Sequence, residues 1–184
     1  MRDVIQKLTP KQALEVPMSL SDKGGAIRDA VAAEVKDALG GIDLEVIAVD
    51  VYFALDTINV QDCWDRAGRS RAGYTSPDEA AVELVEAELQ PFIDQVARYR
   101  ERGMTEEEAT CCKGVILGIY RYAHASKSEF REWSGDVPIE CAGGLLCKWQ
   151  KRGQEANSAE AMDAFIRERC PNWARNLLRT GRRS

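Results

Sequence analysis

The stretch Ser76–Gly103, SPDEAAVELVEAELQPFIDQVARYRERG, decides the fold class, because it carries every signal of a long α-helix. Ser76 and Glu79 have the spacing of a capping box, in which each side chain accepts a hydrogen bond from the other residue's backbone N–H. Pro77 occupies the first helical position, where its missing N–H costs nothing. Apolar residues then recur at three- and four-residue steps until Gly103, which predicts one long amphipathic helix.

Three further stretches begin in the same way, with a small polar residue followed three positions later by Glu or Gln. The pairs are Thr9 with Gln12, Thr105 with Glu108, and Asn157 with Glu160. Pro17 and Pro91 fall inside two of the four predicted helices, where proline kinks or ends a helix. The repetition predicts an all-α protein of seven or eight helices in antiparallel pairs, either a short α-solenoid or an irregular helical bundle. The length fits one domain, so 1–184 is predicted to be a single helical domain.

The segment 42–58 admits two interpretations. It is rich in Val, Ile, Tyr and Phe, which favour strands, but these residues do not alternate strictly between two faces. Its main apolar set follows helical spacing instead: Leu44, Ile47, Ala48, Val51, Leu55 and Ile58. We therefore favour a helix. Further apolar residues on its opposite side predict a central helix surrounded by others.

Two glycine pairs fall inside predicted helices. Gly114 and Gly118 form G-x-x-x-G within an apolar run that is far shorter than the ~20 residues needed to span a bilayer. Close packing of a neighbouring helix is therefore favoured over a membrane dimerisation face, and no membrane partner is expected. Gly143 and Gly144 predict a kink or a second tightly packed contact, because glycine weakens a helix interior.

Composition and charge restrict the function classes. The net charge of −5 gives no general reason to expect a nucleic-acid binder. The first residues lack the apolar core of a signal peptide, so a cytoplasmic location is expected. The six cysteines include no C-x-x-C pair and are expected to be reduced, buried and structural.

The sequence contains few residue combinations that are typical of an enzyme active site. His124 is the only histidine, so one chain cannot supply a multi-histidine metal site. Its pairing with a cysteine, as a catalytic dyad or a mixed zinc site, stays as an alternative. Capping the last carbonyls of its own helix is the more ordinary role. We favour a non-catalytic protein and assign no catalytic residue, metal ion or cofactor.

The most unusual stretch is 62–74, DCWDRAGRSRAGY, which reads as a loop between two long helices. Arginines interleaved with aromatic residues can stack on bases or clamp a phosphate or carboxylate. In the structural alternative, Asp62 or Asp65 pairs with these arginines and the tryptophan anchors the loop. Because loops carry function disproportionately, we assign the candidate binding residues here: Trp64, Arg66, Arg69, Arg71 and Tyr74.

Several motifs around this stretch carry a resemblance to known proteins. They are 51–56 (VYFALD), 64–69 (WDRAGR), 73–74 (GY), 77–81 (PDEAA), 114–121 (GVILGIYR) and 128–130 (SEF). Together they resemble a group of uncharacterised bacterial helical-repeat-like proteins, over roughly the middle half of the chain. The resemblance implies a helical bacterial protein and implies no activity or site.

The C-terminal segment 171–184 is predicted to be a basic tail. From Arg167 onward the chain has six arginines and one acid, whereas 76–108 has ten acids and three arginines. Basic tails often contact nucleic acid or acidic proteins, but a solubilising end or a complement to the chain's own acidic surface is favoured. Trp173, Leu177 and Leu178 predict that part of the tail docks on the core.

The expected function follows from the predicted architecture. Stacked helix pairs present extended grooves that bind peptides and proteins, so we expect a protein–protein interaction or scaffold module with a protein partner. The alternative is a nucleic-acid-binding accessory protein using 64–74 and the basic tail, with an affinity that falls steeply with salt. A thiol- or metal-dependent enzyme is the third class.

Overall fold

The computed structural model describes residues 8–38, 42–70, 73–151 and 156–180. Within these ranges it contains ten α-helices and one two-stranded hairpin, which confirms the all-α prediction. The count exceeds seven or eight because two short helices form in stretches that were predicted as connections. The chain divides into two compact units, Met1–Gly41 and Ile42–Ser184; that both belong to a single domain stays a prediction.

The first unit contains α1 (Pro10–Ser21) and α2 (Gly25–Ala38). The predicted capping box at Thr9 is confirmed, since the Thr9 N–H donates to Gln12 Oε1 at 3.0 Å. Helix α1 continues through Pro17 to Ser21 and so does not end at the proline.

The second unit holds the remaining elements. In chain order they are α3 (Leu44–Asp56), α4 (Val60–Arg66), β1 (Gly68–Ser70), β2 (Gly73–Thr75), α5 (Pro77–Glu101), α6 (Thr105–Ala125), α7 (Phe130–Ser134), α8 (Val137–Gln150), α9 (Ala156–Arg169) and α10 (Pro171–Thr180). Helix α6 lies at the centre and packs against α3, α5, α8 and α9. No helix within the described ranges has both the length and the apolar character that a membrane crossing requires.

The predicted helix packing over Gly114 and Gly118 is confirmed. A Cβ atom at Gly118 would lie 2.6 Å from Val51 Cβ and 2.7 Å from the Ala48 carbonyl oxygen. One at Gly114 would lie 2.8 Å from Ile47 Cβ. These distances are shorter than van der Waals contact, so α3 can approach α6 this closely only because both residues lack a side chain.

Helix α3 confirms the helical interpretation of 42–58 but is not surrounded by other helices. Its main apolar face is buried, with Leu55 completely inaccessible. Val46, Val49 and Phe53 on the other side are exposed, and Phe53 exposes 58% of its surface. The prediction of full enclosure was wrong because apolar residues also contribute much of a folded protein's surface, so their presence on a helix face does not require a neighbour.

Helix α5 begins and runs as its sequence predicts. The Ser76 N–H donates to Glu79 Oε2 at 2.8 Å, and the Glu79 N–H donates to Ser76 Oγ at 3.2 Å, which confirms the capping box. The helix continues through Pro91 to Glu101. Gly103, with φ of +70°, then turns the chain into α6.

The other two predicted capping boxes were wrong. The residue that precedes α6 is Met104, and its N–H donates to the Tyr99 carbonyl at 2.9 Å. This bond sets the helix start one residue early, so Thr105 lies inside the helix and the Glu108 side chain is buried in the core. Asn157 likewise follows the first residue of α9, so it does not cap that helix.

The tail docks on the core through α10, as predicted. Trp173 and Leu177 are buried. The Trp173 ring packs edge-on against Tyr120, with centroids 5.2 Å apart, and lies 5.5 Å from the His124 ring. His124 Nδ1 lies 2.8 Å from the carbonyl oxygen of Tyr120, one turn earlier in α6; this is not one of the last four carbonyls, so the predicted capping role stays a prediction. Residues 181–184 of the predicted tail lie outside the described residues.

Candidate functional site

The stretch 62–74 is not a loop, because most of its described part is helix α4 and the β1–β2 hairpin. Helix α4 starts at Asn59, whose N–H donates to Asp62 Oδ2 at 2.9 Å. This start uses Asp where the capping-box pattern has Glu or Gln, and its signal was therefore missed. Strands β1 and β2 pair antiparallel, with Gly68 opposite Thr75.

The predicted binding residues do not share one face. Trp64 is half-exposed on α4 and packs edge-on against Trp133 of α7, with ring centroids 5.5 Å apart. Arg66 lies two positions later, on another side of α4. Tyr74 is exposed on β2, opposite Arg69 in the hairpin register. Arg71 lies outside the described residues.

Arg66 instead lines an open cleft of about 490 Å³ between α4 and α5, which we name the acidic cleft. The residues that line it are Thr57, Ile58, Asp62, Asp65, Arg66, Leu84 and Glu88. The lining therefore combines three acidic residues and one arginine with the apolar residues Ile58 and Leu84. Asp62, Asp65 and Arg66 meet there because they are three and four positions apart on one helix face.

Local hydrogen bonds orient two of these carboxylates. Asp62 Oδ2 accepts the Asn59 N–H, and Asp65 Oδ1 accepts the Gln61 side-chain amide at 2.8 Å. Among the described residues, no group of His, Cys, Asp or Glu side chains is arranged to hold a metal ion. The carboxylates of the cleft can instead accept hydrogen bonds from an ammonium or guanidinium group.

Two residues of this region were missed by sequence reasoning. Glu88 contributes a carboxylate from α5, and Trp133 supplies the ring against which Trp64 packs. The acidic excess of 76–108 indicated that α5 carries negative charge, but it did not indicate which residue faces α4. Trp133 lies in a five-residue helix with too few residues to show a periodic pattern.

A second cluster of charges joins three helices away from the cleft. Glu45 on α3 accepts hydrogen bonds from Arg169 on α9 at 2.5 Å and from Arg121 on α6 at 2.7 Å. These hydrogen bonds, the one from Arg169 first, hold the pKa of Glu45 below its usual range. These ion pairs link α3 to α9 and to the central helix α6, and we assign the cluster a structural role.

Glu108 on α6 is a buried acid, with 2% of its surface exposed. Burial raises its pKa above the usual 4.5, and the charge of Arg100 only partly opposes this rise. Since the folded pKa exceeds the unfolded one, the ionised carboxylate destabilises the fold at neutral pH. The penalty disappears as the pH falls through the folded pKa toward 4.5.

Replacing this charge is expected to stabilise the protein at neutral pH. Glu108→Gln removes the desolvation cost, so its Tm should exceed that of the parent at neutral pH, and the gain should shrink toward pH 4.5. Thermal denaturation followed by circular dichroism at the two pH values measures this. Glu101→Gln, an exposed position, is the matched control. A lower Tm at neutral pH would show that the attraction to Arg100 outweighs desolvation.

The predicted burial of the cysteines is confirmed for Cys63, Cys111, Cys112 and Cys170, whereas Cys141 and Cys147 are partly exposed. Burial raises the pKa of Cys111 to about 11 and that of Cys170 to about 12. These buried thiols are protonated at neutral pH and are poor nucleophiles, because the thiolate is the reactive form.

No family model, curated protein or solved structure matches this chain. The resemblance to bacterial helical proteins therefore stays a prediction, and the function is inferred from the chemistry of the site.

Proposed function

We propose that the protein is a non-catalytic protein–protein interaction module that binds a basic segment of its partner in the acidic cleft. One observation carries the proposal: an open cleft whose lining combines three acidic residues with one arginine and two apolar residues. The exposed aromatic residues Trp64 and Tyr74 do not line the cleft and are not part of the proposed site.

The chemistry of the cleft fits a lysine or arginine side chain. Its apolar stem can pack on Ile58 and Leu84, while its charged end reaches the carboxylates of the wall. Arginine suits the site best, because its planar fork can bond two carboxylate oxygens at once. Arg66 lines the same cleft as the three acidic residues, so its guanidinium competes with an incoming cation for them.

The nucleic-acid alternative has less support from this geometry. A phosphate that approached Arg66 would also meet Asp62, Asp65 and Glu88, and like charges repel. The net charge of −5 also repels a negatively charged nucleic acid at longer range.

A fluorescein-labelled oligoarginine peptide tests the proposal by fluorescence anisotropy with the full chain. We expect it to bind, and an oligoglutamate peptide to fail. The double variant Asp65→Asn with Glu88→Gln should bind about tenfold more weakly, at up to about 1 kcal/mol for each exposed ion pair. The control double variant Glu83→Gln with Glu101→Gln removes two exposed α5 carboxylates outside the cleft and should change the affinity far less. Equal losses in both variants would reject a specific cleft.

Arg66→Ala is expected to change the binding affinity in opposite directions for the two classes of partner, basic peptide and nucleic acid. Removing the competing guanidinium should tighten binding of the oligoarginine peptide. If the region binds nucleic acid, the same change should weaken binding of a labelled single-stranded DNA, with an affinity that falls steeply with salt. DNA binding that Arg66→Ala abolishes would overturn the proposal in favour of the alternative.

A further inference from the structure

Two clefts flank helix α8. The first lies between α5 and α8 and has a volume of about 340 Å³. The second lies between α8 and α10 and has a volume of about 440 Å³. Glu140 and Gly144 line both, so the clefts meet across one ridge of α8. We name the combined surface the α8 groove.

The ridge between the two clefts lacks a side chain at Gly144. Added Cβ atoms at Gly114 and Gly118 would collide with α3, whereas one at Gly144 would meet nothing within 4 Å among the described residues. At Gly143 it would make only an ordinary contact, 3.6 Å from Leu177 Cδ2. The predicted tight packing is therefore not found at Gly144 in the described structure. Glycine at this position costs about 1 kcal/mol relative to alanine, and no contact with the described residues explains that cost.

The walls of the α8 groove differ in chemistry. The second cleft is mainly apolar, with Ile139, Cys147 and Leu177 on its walls. The first has an apolar floor that includes Leu89, and its charged lining residues are two acids, Glu86 and Glu140, and one base, Lys148, which leaves the acids in excess. Burial raises the pKa of the Cys141 thiol to about 11; the charges of Glu86 and Glu140 add to this rise, and that of Lys148 opposes it.

We propose that the α8 groove is a docking site for an amphipathic helical segment of another protein, one that carries basic residues beside its apolar face. The segment crosses α8 at Gly144, where two helix backbones can approach as closely as α3 and α6 do at Gly118. Its apolar side chains fill the two clefts, and its basic residues pair with Glu86 and Glu140. This site lies beyond the acidic cleft and does not depend on the function proposed for that cleft.

The probe is a fluorescein-labelled peptide of Leu-Lys-Ala-Ala repeats, which places leucine, lysine and a small-residue surface on separate helix faces. We expect the full chain to bind it, and to bind a Leu-Glu-Ala-Ala analogue about tenfold more weakly because of charge repulsion by Glu86 and Glu140. Gly144→Leu should weaken binding of the Leu-Lys-Ala-Ala peptide (the lysine peptide) about tenfold, because the leucine side chain would fill the point where the peptide crosses α8. Ala164→Leu, at an exposed position on α9, is the matched control and should leave the affinity unchanged.

Two thiols report on occupancy of the groove. Cys141 lines the first cleft and Cys147 the second. Saturating lysine peptide should slow N-ethylmaleimide labelling of both, as measured by mass spectrometry in mildly alkaline buffer. Absence of binding, equal affinity of Gly144→Leu and parent, or unchanged labelling of either thiol would each overturn the proposal. Circular dichroism of both leucine variants separates loss of binding from loss of fold.

The two binding proposals fail separately. Asp65→Asn with Glu88→Gln alters the acidic cleft and should leave binding of the Leu-Lys-Ala-Ala peptide unchanged. Gly144→Leu should leave oligoarginine binding unchanged, because Gly144 does not line the acidic cleft. If the acidic-cleft double variant abolished binding of both peptides, the α8 groove would be rejected as a separate site.

Discussion

Gly118→Ala is expected to lower the free energy of unfolding by about 2–3 kcal/mol, although alanine is the better helix former. The added methyl group would lie 2.6 Å from Val51 Cβ and 2.7 Å from the Ala48 carbonyl oxygen. The second contact is with backbone, so a change of side-chain rotamer cannot relieve it. The two central helices must separate, and the surfaces that they bury lose contact along their length.

Urea denaturation of Gly118→Ala and its matched control Gly144→Ala measures this effect. Both changes add one methyl group to a helix interior, but a Cβ at Gly144 meets nothing within 4 Å among the described residues. Gly144→Ala should therefore raise the free energy of unfolding by about 0.5–1 kcal/mol. Similar stabilisation by both variants would contradict the close packing of α3 on α6.

Leu55→Ala is expected to lower the free energy of unfolding by about 2–5 kcal/mol. Leu55 is completely buried on the face of α3 that meets the core. Truncation removes its transfer free energy and leaves a cavity, and the size of the loss depends on how far its neighbours can close that cavity.

Phe53→Ala is the control on the same helix. Phe53 lies on the exposed side of α3, so its truncation should change the free energy of unfolding by no more than about 0.5 kcal/mol. Thermal and urea denaturation of the two variants compares the faces directly. A large loss for Phe53→Ala would show that this side of α3 is covered in solution.

Much of the fold could be predicted because the deciding signals are local. The capping boxes at Thr9 and Ser76 depend on residues three positions apart, and they form as the sequence indicates. The pairing of Gly114 with Gly118 likewise indicated a helix contact, because two missing side chains one turn apart leave space for a neighbouring backbone. The start of α6 was misplaced because a hydrogen bond from Met104 to Tyr99, set by the turn at Gly103, determines it.

The candidate sites depended on tertiary structure. The sequence determined that Trp64 and Arg66 are near each other in the chain, but the helical form of α4 directs them to different neighbours. Glu88 joins the acidic cleft from 22 positions beyond Arg66, and no local pattern specifies which face of α5 meets α4. Local rules act over one or two helical turns and determine helix formation and capping. Which side chains meet across helices is decided by packing between distant segments, and at Gly144 that packing leaves the helix ridge open.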